Sequence, residues 1–218
     1  MDTRRIILIV VASIVWLGWF YTLTSTVATP PVTALRWLPP RGTAFMDRFG
    51  GEVDWKWVPM SRISRNLKRA VVVAEDDEFF EHRGVNVDAV RKAAEYNWRK
   101  RKLLRGASTI TMQLARNLYL SPRKTPWRKF RELLISLKLE RELSKERILE
   151  IYLNVAEWGN GVFGAEAAAR HYFHKGASEL GTRDAAFMAA ILPRPRFYDR
   201  HRSGSYLNRR IGAIAAGM

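Results

Sequence analysis

The sequence contains no cysteine. That excludes a disulfide framework, a zinc–thiolate site and a cysteine nucleophile. Histidine is scarce, occurring only as His82, His171, His174 and His201. None of these stands in H-x-x-x-H or H-E-x-x-H spacing, which argues against a zinc site. No G-x-x-x-x-G-K-[ST] run is present, so a P-loop has no support. Acid is also scarce: Asp plus Glu number 21 against 37 Lys plus Arg, a net charge of +16. An excess of this size points to a polyanionic partner, whether nucleic acid, anionic lipid or a phosphorylated substrate. Hydrophobic residues at 47% and aromatics at 11% exclude a disordered or collagen-like chain. A length of 218 residues suits one domain with short attachments.

Ile6 to Leu23 is an uncharged run, interrupted only by Ser13, Gly18 and Thr22. As a helix it would rise about 27 Å, close to a hydrocarbon core of about 30 Å. Arg4 and Arg5 precede it, and Trp16, Trp19, Phe20 and Tyr21 gather toward its far end. Basic residues on the near side and aromatics at the far interface predict the N-terminus inside and the bulk outside. Residues 1–5 then form a cytoplasmic tail and 6–28 a transmembrane anchor. A cleaved signal peptide is the alternative, since Ser25, Thr26 and Ala28 follow, but its apolar region is usually about 7–15 residues. An external domain leaves nucleic acid out as a partner. It assigns the basic charge to phospholipid head groups or a lipid-linked phosphate.

Residues 29–60 are rich in Pro and Gly and read as a linker that becomes a lobe, with room for short strands between Gly42 and Pro59. From Ser61 the periodicity is helical, so 61–218 is the expected domain. Ser61 is expected to cap a helix burying Ile63, Leu67, Ala70, Val71 and Ala74. Asn86 caps the next, with Val87, Val90, Ala93, Ala94 and Asn97 inward, and Lys100, Arg101, Lys102 and Arg105 form a basic connection. Ser108 starts a helix facing Ile110, Leu114 and Leu118 to the core. Thr125-Pro126 is a cap followed by Pro at the first helical position, with Trp127, Phe130, Leu133, Leu134 and Leu137 as the inner face. Ser144 opens a helix with Ile148, Ile151 and Tyr152 inward. Ala165–Phe173 is a small-residue helix, and Thr182 caps one that Pro193 stops. Ile211 to Met218 reads as the middle of an apolar helix. The class is mainly α, with a small β element early on.

Four groups of residues stand out chemically. Glu75-Asp76-Asp77-Glu78 follows an apolar-faced helix, where the helix dipole disfavours acids. It is either a solvated acidic turn or, with Phe79, Phe80, His82 and Gly84 pinning it, a built loop. A carboxylate held there against aromatics gains the raised pKa that a general base requires. Thr109, Gln113 and Arg116 share one stripe at i, i+4 and i+7, which suits a polar groove or an ordinary amphipathic helix. Arg128 and Glu132 are an i, i+4 pair, and with Lys129 they form either a surface salt bridge or a cradle for pyrophosphate. Glu150, Tyr152 and Asn154, with Glu150 and Asn154 one turn apart, stand ahead of Glu157-Trp158-Gly159-Asn160-Gly161 and read either as part of a site or as a helix C-cap and turn.

In this order and spacing the four groups resemble glycosyltransferase family 51, the peptidoglycan transglycosylases. The first motif, E-D-x-x-F-x-x-H-x-G, is Glu75, Asp76, Phe79, His82 and Gly84. The second runs from Gly106 to Asn117, the third is Arg128, Lys129 and Glu132, and the fourth is Ile148 to Asn154. The stretch from Asn154 to Gly164, with Ala165 to Phe173 and no further domain, looks like the monofunctional branch. The match covers about residues 40–200.

The resemblance implies a lysozyme-like helical domain with a small membrane-proximal jaw, carried by the single-pass anchor on the periplasmic side of the bacterial inner membrane. It implies polymerisation of lipid II. The GlcNAc 4-hydroxyl of the acceptor attacks MurNAc C1 of the donor with inversion and releases undecaprenyl pyrophosphate. By motif position Glu75 is the general base, and Glu132 acts near the leaving group. Arg116, Arg128 and Lys129 meet the pyrophosphate, while Ser108, Thr109, Gln113, Asn117, Glu150 and Asn154 line or support the sugar groove. A divalent metal, Mg²⁺ or Mn²⁺, is placed near Asp76 or Glu132. Implied partners are lipid II, the growing lipid-linked glycan, the membrane against the basic jaw, and other cell-wall synthesis proteins. Met112 stands where the family commonly carries a second Gln, and Arg116 where Lys is common. The competing readings are a lytic enzyme of similar fold that cleaves glycan strands, and a non-catalytic membrane-anchored scaffold.

Overall fold

Helix starts in this chain follow the chemistry of short polar side chains. The computed structural model describes residues 3–28, 31–101, 108–123 and 125–218. Lys102, Arg105 and the Gly106-Ala107 start of the second motif lie outside the described residues. The chain divides into two units, Met1–Pro31 and Val32–Met218. The first holds helix α1, Thr3–Ala28, in which Ile9, Val11, Ile14 and Leu17 are each more than half exposed. Among the described residues no helix is long and apolar enough to cross a membrane. The described apolar side chains of α1 run from Leu8 to Trp19, a rise of about 18 Å.

The second unit is mainly helical: α2 Arg65–Glu75, α3 Val87–Lys100, α4 Ile110–Tyr119, α5 Pro126–Glu142, α6 Lys145–Val155, α7 Ala165–Phe173, α8 Thr182–Ile191, α9 Pro195–Arg200 and α10 Ser205–Gly217. The expected caps at Asn86, Thr125 and Ser144 are present, each side-chain oxygen accepting from the backbone N–H three residues on. Two starts differ. Met60–Arg62 forms a 3₁₀ turn, so Ser64 and not Ser61 caps α2. Thr109 and not Ser108 caps α4. Gly181 precedes α8, with Thr182 as its first residue.

Leu67, Ala70 and Val71 of α2, Ile110 and Leu114 of α4, and Ile148, Ile151 and Tyr152 of α6 are buried as their spacing predicts. Two predicted inner faces are not. In α5 the buried side is Glu132, Ile135, Ser136 and Leu139, while Trp127, Phe130 and Leu137 are exposed. The polar members of that buried side are satisfied, Glu132 by two cations and Ser136 by donating to the Leu133 carbonyl. The apolar stripe is therefore free to face outward. In α3, Val87, Val90 and Ala94 are exposed and Ala93 is buried, while the side chain of Asn97 lies outside the described residues.

The segment read as a linker supplies Val32, Leu35, Met46 and Val58 to the core. Arg147 of α6 clamps it, donating from Nε to Leu35 O (2.7 Å) and from Nη2 to Leu38 O (2.9 Å). Its one strand, β1 Asp54–Trp55, pairs in parallel with β3 Val162–Phe163, which pairs antiparallel with β2 Glu157–Gly159. Gly161 and Gly164 hold positive φ in this sheet, and a Cβ on Gly164 would lie 2.6 Å from Asn154 O. Gly159, Gly161 and Gly164 stand in G-x-G-x-x-G spacing, but across an antiparallel turn and not at the strand-to-helix crossing of a dinucleotide fold.

Candidate active site

Glu75 is the last residue of α2, and the loop after it is built. Phe79 is fully buried, with Phe80 against its ring edge at 5.0 Å and the Lys145 ammonium 4.4 Å from its centroid. Gly84 has φ +82°, and a Cβ there would lie 3.1 Å from Glu140 Cγ. Asp76 joins this loop to the next motif. Its Oδ2 accepts from Ile110 N at 3.0 Å, at the N-terminus of α4, and its Oδ1 lies 2.9 Å from His82 Nε2. Thr109 closes the same joint by donating to Gly84 O at 2.6 Å. Burial pushes the Asp76 carboxyl above its usual range, against these hydrogen bonds.

Glu75 is nearly enclosed, its side chain 11% exposed. Its Oε2 accepts from Gln113 Nε2 at 2.8 Å, and its Oε1 lies 3.4 Å from Arg210 Nη2. The other face of the Gln113 amide accepts from Tyr152 OH at 3.0 Å. Burial raises the Glu75 carboxyl, opposed by the Gln113 hydrogen bond and the charges of Arg210 and Arg116. Desolvation of this kind makes a carboxylate a stronger proton acceptor.

The cations gather around the second carboxylate. Arg128 Nη1 donates to Glu132 Oε2 and Lys129 Nζ to Glu132 Oε1, both at 2.5 Å. Lys129 also donates to Ser108 Oγ at 2.8 Å, which joins the second and third motifs. Glu132 is 2% exposed, so its charge is matched inside the protein by these two partners. Arg116 and Arg128 each keep a buried Nε–H without a protein acceptor. Both residues line a cleft of about 210 Å³ with Gln113, Asn117 and Tyr152. Guanidinium groups lining a cleft that reaches a desolvated carboxylate through Gln113 suit an anionic leaving group.

Glu75, Ser108, Gln113, Arg116, Asn117, Arg128, Lys129 and Glu132 therefore lie around one joint between α2, α4 and α5. Thr109, Glu150 and Asn154 do not line it. Thr109 is 1% exposed and serves as the α4 cap. Glu150 accepts from Met60 N and pairs with Arg147. Asn154 is fully buried, its Oδ1 accepting from Val58 N and its Nδ2 donating to Val58 O, all at 2.9 Å. Met112 is 5% exposed, in the interior and not in the groove.

Sequence reasoning gave no active-site role to Tyr152 or Arg210. Tyr152 lies within the fourth motif and was legible as a core residue and as a member of that polar group, but with no role of its own. Arg210 reaches Glu75 across 135 positions of sequence, and no local signal marks it.

Neither carboxylate proposed for a metal fits a resident ion. The Asp76 oxygens face His82 and Ile110 N–H, and those of Glu132 face Arg128 and Lys129. Among the described residues no three His, Asp or Glu side chains gather with metal-holding geometry.

A model of the family described as Transglycosylase matches residues 43–218. A biosynthetic peptidoglycan transglycosylase of Methylobacillus flagellatus is 50% identical over 188 residues, 82% of each chain. One of Bordetella pertussis is 55% identical over 171 residues, 77% of this chain and 71% of its own. One of Dechloromonas aromatica is 48% identical over 191 residues, 84% of this chain and 83% of its own. A match spanning the whole joint around Glu75, with relatives at about half identity, settles the kinship that the four motifs suggest: the chain belongs to the transglycosylase family.

Proposed function

We propose that the chain polymerises the glycan strand of peptidoglycan from lipid II, with Glu75 as general base. The observation that carries this reading is a desolvated carboxylate hydrogen-bonded to Gln113, which lines one cleft with Arg116 and Arg128, two guanidinium groups that each keep an unpartnered N–H. Glu75 takes the proton of the acceptor GlcNAc 4-hydroxyl as the oxygen attacks MurNAc C1 of the donor. The bond from C1 to the phosphate oxygen breaks, its electron pair stays with the pyrophosphate, and the α-linkage becomes β. Arg116, Arg128 and Lys129 stabilise the charge that develops on undecaprenyl pyrophosphate, so no acid is needed at the leaving group. Glu132 holds Arg128 and Lys129 in place as their counter-charge.

The same contacts disfavour the lytic alternative. Cleaving a glycosidic bond calls for a carboxylic acid to protonate the leaving oxygen, and both oxygens of Glu132 are already bonded to cations. A lipid-anchored substrate suits an anchored enzyme. We infer a single-pass anchor over 6–28, with the catalytic unit as a lysozyme-like body and jaw on the periplasmic side of the inner membrane. The exposed Trp127, Phe130 and Leu137 of α5, with the chain's cationic excess, suit contact with anionic lipid.

The test is a polymerisation assay with labelled lipid II, its products separated on a gel before and after lysozyme treatment. A ladder that lysozyme collapses and moenomycin blocks is the expected result. Shortening of preformed glycan without a ladder would establish the lytic enzyme instead. Carbonate extraction of membranes tests the anchor, which predicts that the protein stays in the pellet.

A further inference from the structure

The hydroxyl of Tyr152 belongs to the joint around Glu75, yet the proposed reaction gives it no part. Tyr152 is 1% exposed and sits in α6 among core residues. A phenylalanine would fill that space equally well. A buried hydroxyl needs an acceptor, and this one donates to Gln113 Oε1 at 3.0 Å. The same amide turns its Nε2 to Glu75 Oε2 at 2.8 Å. The second Glu75 oxygen faces Arg210, so both oxygens look at donors.

An amide side chain is nearly symmetric in shape and opposite in polarity at its two ends. Reversed, Gln113 would bring its oxygen to Glu75 Oε2. Two acceptors at that distance repel unless Glu75 carries a proton, so the reversed amide favours the protonated acid. The Tyr152 hydroxyl opposes reversal, because the NH₂ group would then fill its acceptor side and leave its own proton unpaired in the interior.

We propose that Tyr152 is a positioning residue for glycan polymerisation, fixing the polarity of the Gln113 amide so that Glu75 stays in its proton-accepting form. The proposal rests on Glu75 being the base. The other groups that face Glu75 are Arg116 on α4, Arg210 on α10 and the neighbouring Asp76. The Tyr152 hydroxyl feels the charges of Glu75, Arg116 and Asp76, but its hydrogen bond goes to Gln113, and the double variant separates the two routes.

The experiment compares the full chain with Tyr152→Phe, Gln113→Ala and the double variant, measuring kcat and KM for lipid II from pH 5 to 9. Tyr152→Phe is expected to keep KM within twofold. Its acid limb should move up by about 0.5–1 pH unit, a three- to tenfold loss on that limb that recovers at higher pH. On the Gln113→Ala background the same change should add no further shift. Carboxyl ¹³C NMR of Glu75 should report the same upward titration shift without any turnover. An unmoved acid limb, a uniform loss at every pH, or additive shifts in the double variant would overturn the proposal. Should Glu75→Gln itself polymerise lipid II, the base assignment fails, and the NMR titration still decides whether Tyr152 acts on Glu75.

Discussion

Asn154 is placed by its motif as lining or supporting the sugar groove, and Asn154→Ala tests what it does in the fold. In the fold it staples residues 54–58 to α6, holding both backbone groups of Val58 and donating to Glu150 O. Val58 is 4% exposed and Asn154 fully buried, so water cannot replace the lost partners without opening the fold. Leaving a buried N–H and a buried C=O unpaired costs about 1–3 kcal/mol each. The expected total is about 3–5 kcal/mol. At roughly 2–4 °C per kcal/mol for a domain of this size, Tm should fall by about 6–20 °C. The assay is thermal unfolding by tryptophan fluorescence in detergent, with KM for lipid II measured well below the transition. The staple predicts a large Tm loss and a KM within twofold of the parent. A Tm within about 2 °C of the parent, with KM raised severalfold, would refute it and return Asn154 to the groove.

Three further outcomes follow from the same contacts. Burial raises the Glu75 carboxyl in the folded state, so its contribution to stability is full below the unfolded pKa and is lost as pH rises through the folded one; denaturant titrations across pH 4–8 should show this decline weakened in Glu75→Gln. On the proposed pyrophosphate role of Lys129, Lys129→Gln should raise KM for lipid II about tenfold, with a shallower salt dependence, because a hydrogen bond to a charged group is worth about 1.5–3 kcal/mol. Met112→Gln places an amide at a 5% exposed position and should lower stability by about 1–3 kcal/mol without raising polymerisation; a rate increase in the gel assay would put that side chain in the groove.

Much of the fold was legible where a local rule decides the outcome. Asn86, Thr125 and Ser144 cap helices because a short polar side chain satisfies the N–H three residues on, and Ala165–Phe173 was bounded correctly by Gly and periodicity. The inner face of α5 was not legible. Its apolar stripe at Trp127, Phe130 and Leu137 obeys helical spacing, yet Glu132 and Ser136 occupy the buried side because partners on α5 itself satisfy them. Hydrophobic periodicity counts apolar residues and cannot see a paired charge. The site divides in the same way. The motifs found Glu75, Gln113, Arg128, Lys129 and Glu132. The contacts that cross the chain were invisible, including Arg210 on Glu75 and Val58 on Asn154.

The most direct measurement is glycan polymerisation by Glu75→Gln beside the parent chain, under one set of lipid II and detergent conditions, with lipid II binding measured in parallel. The account predicts a ladder for the parent, none for the variant, and binding within a few fold in both, since the pyrophosphate contacts of Arg116, Arg128 and Lys129 remain. A ladder of equal yield from the variant would contradict the claim that Glu75 takes the acceptor proton.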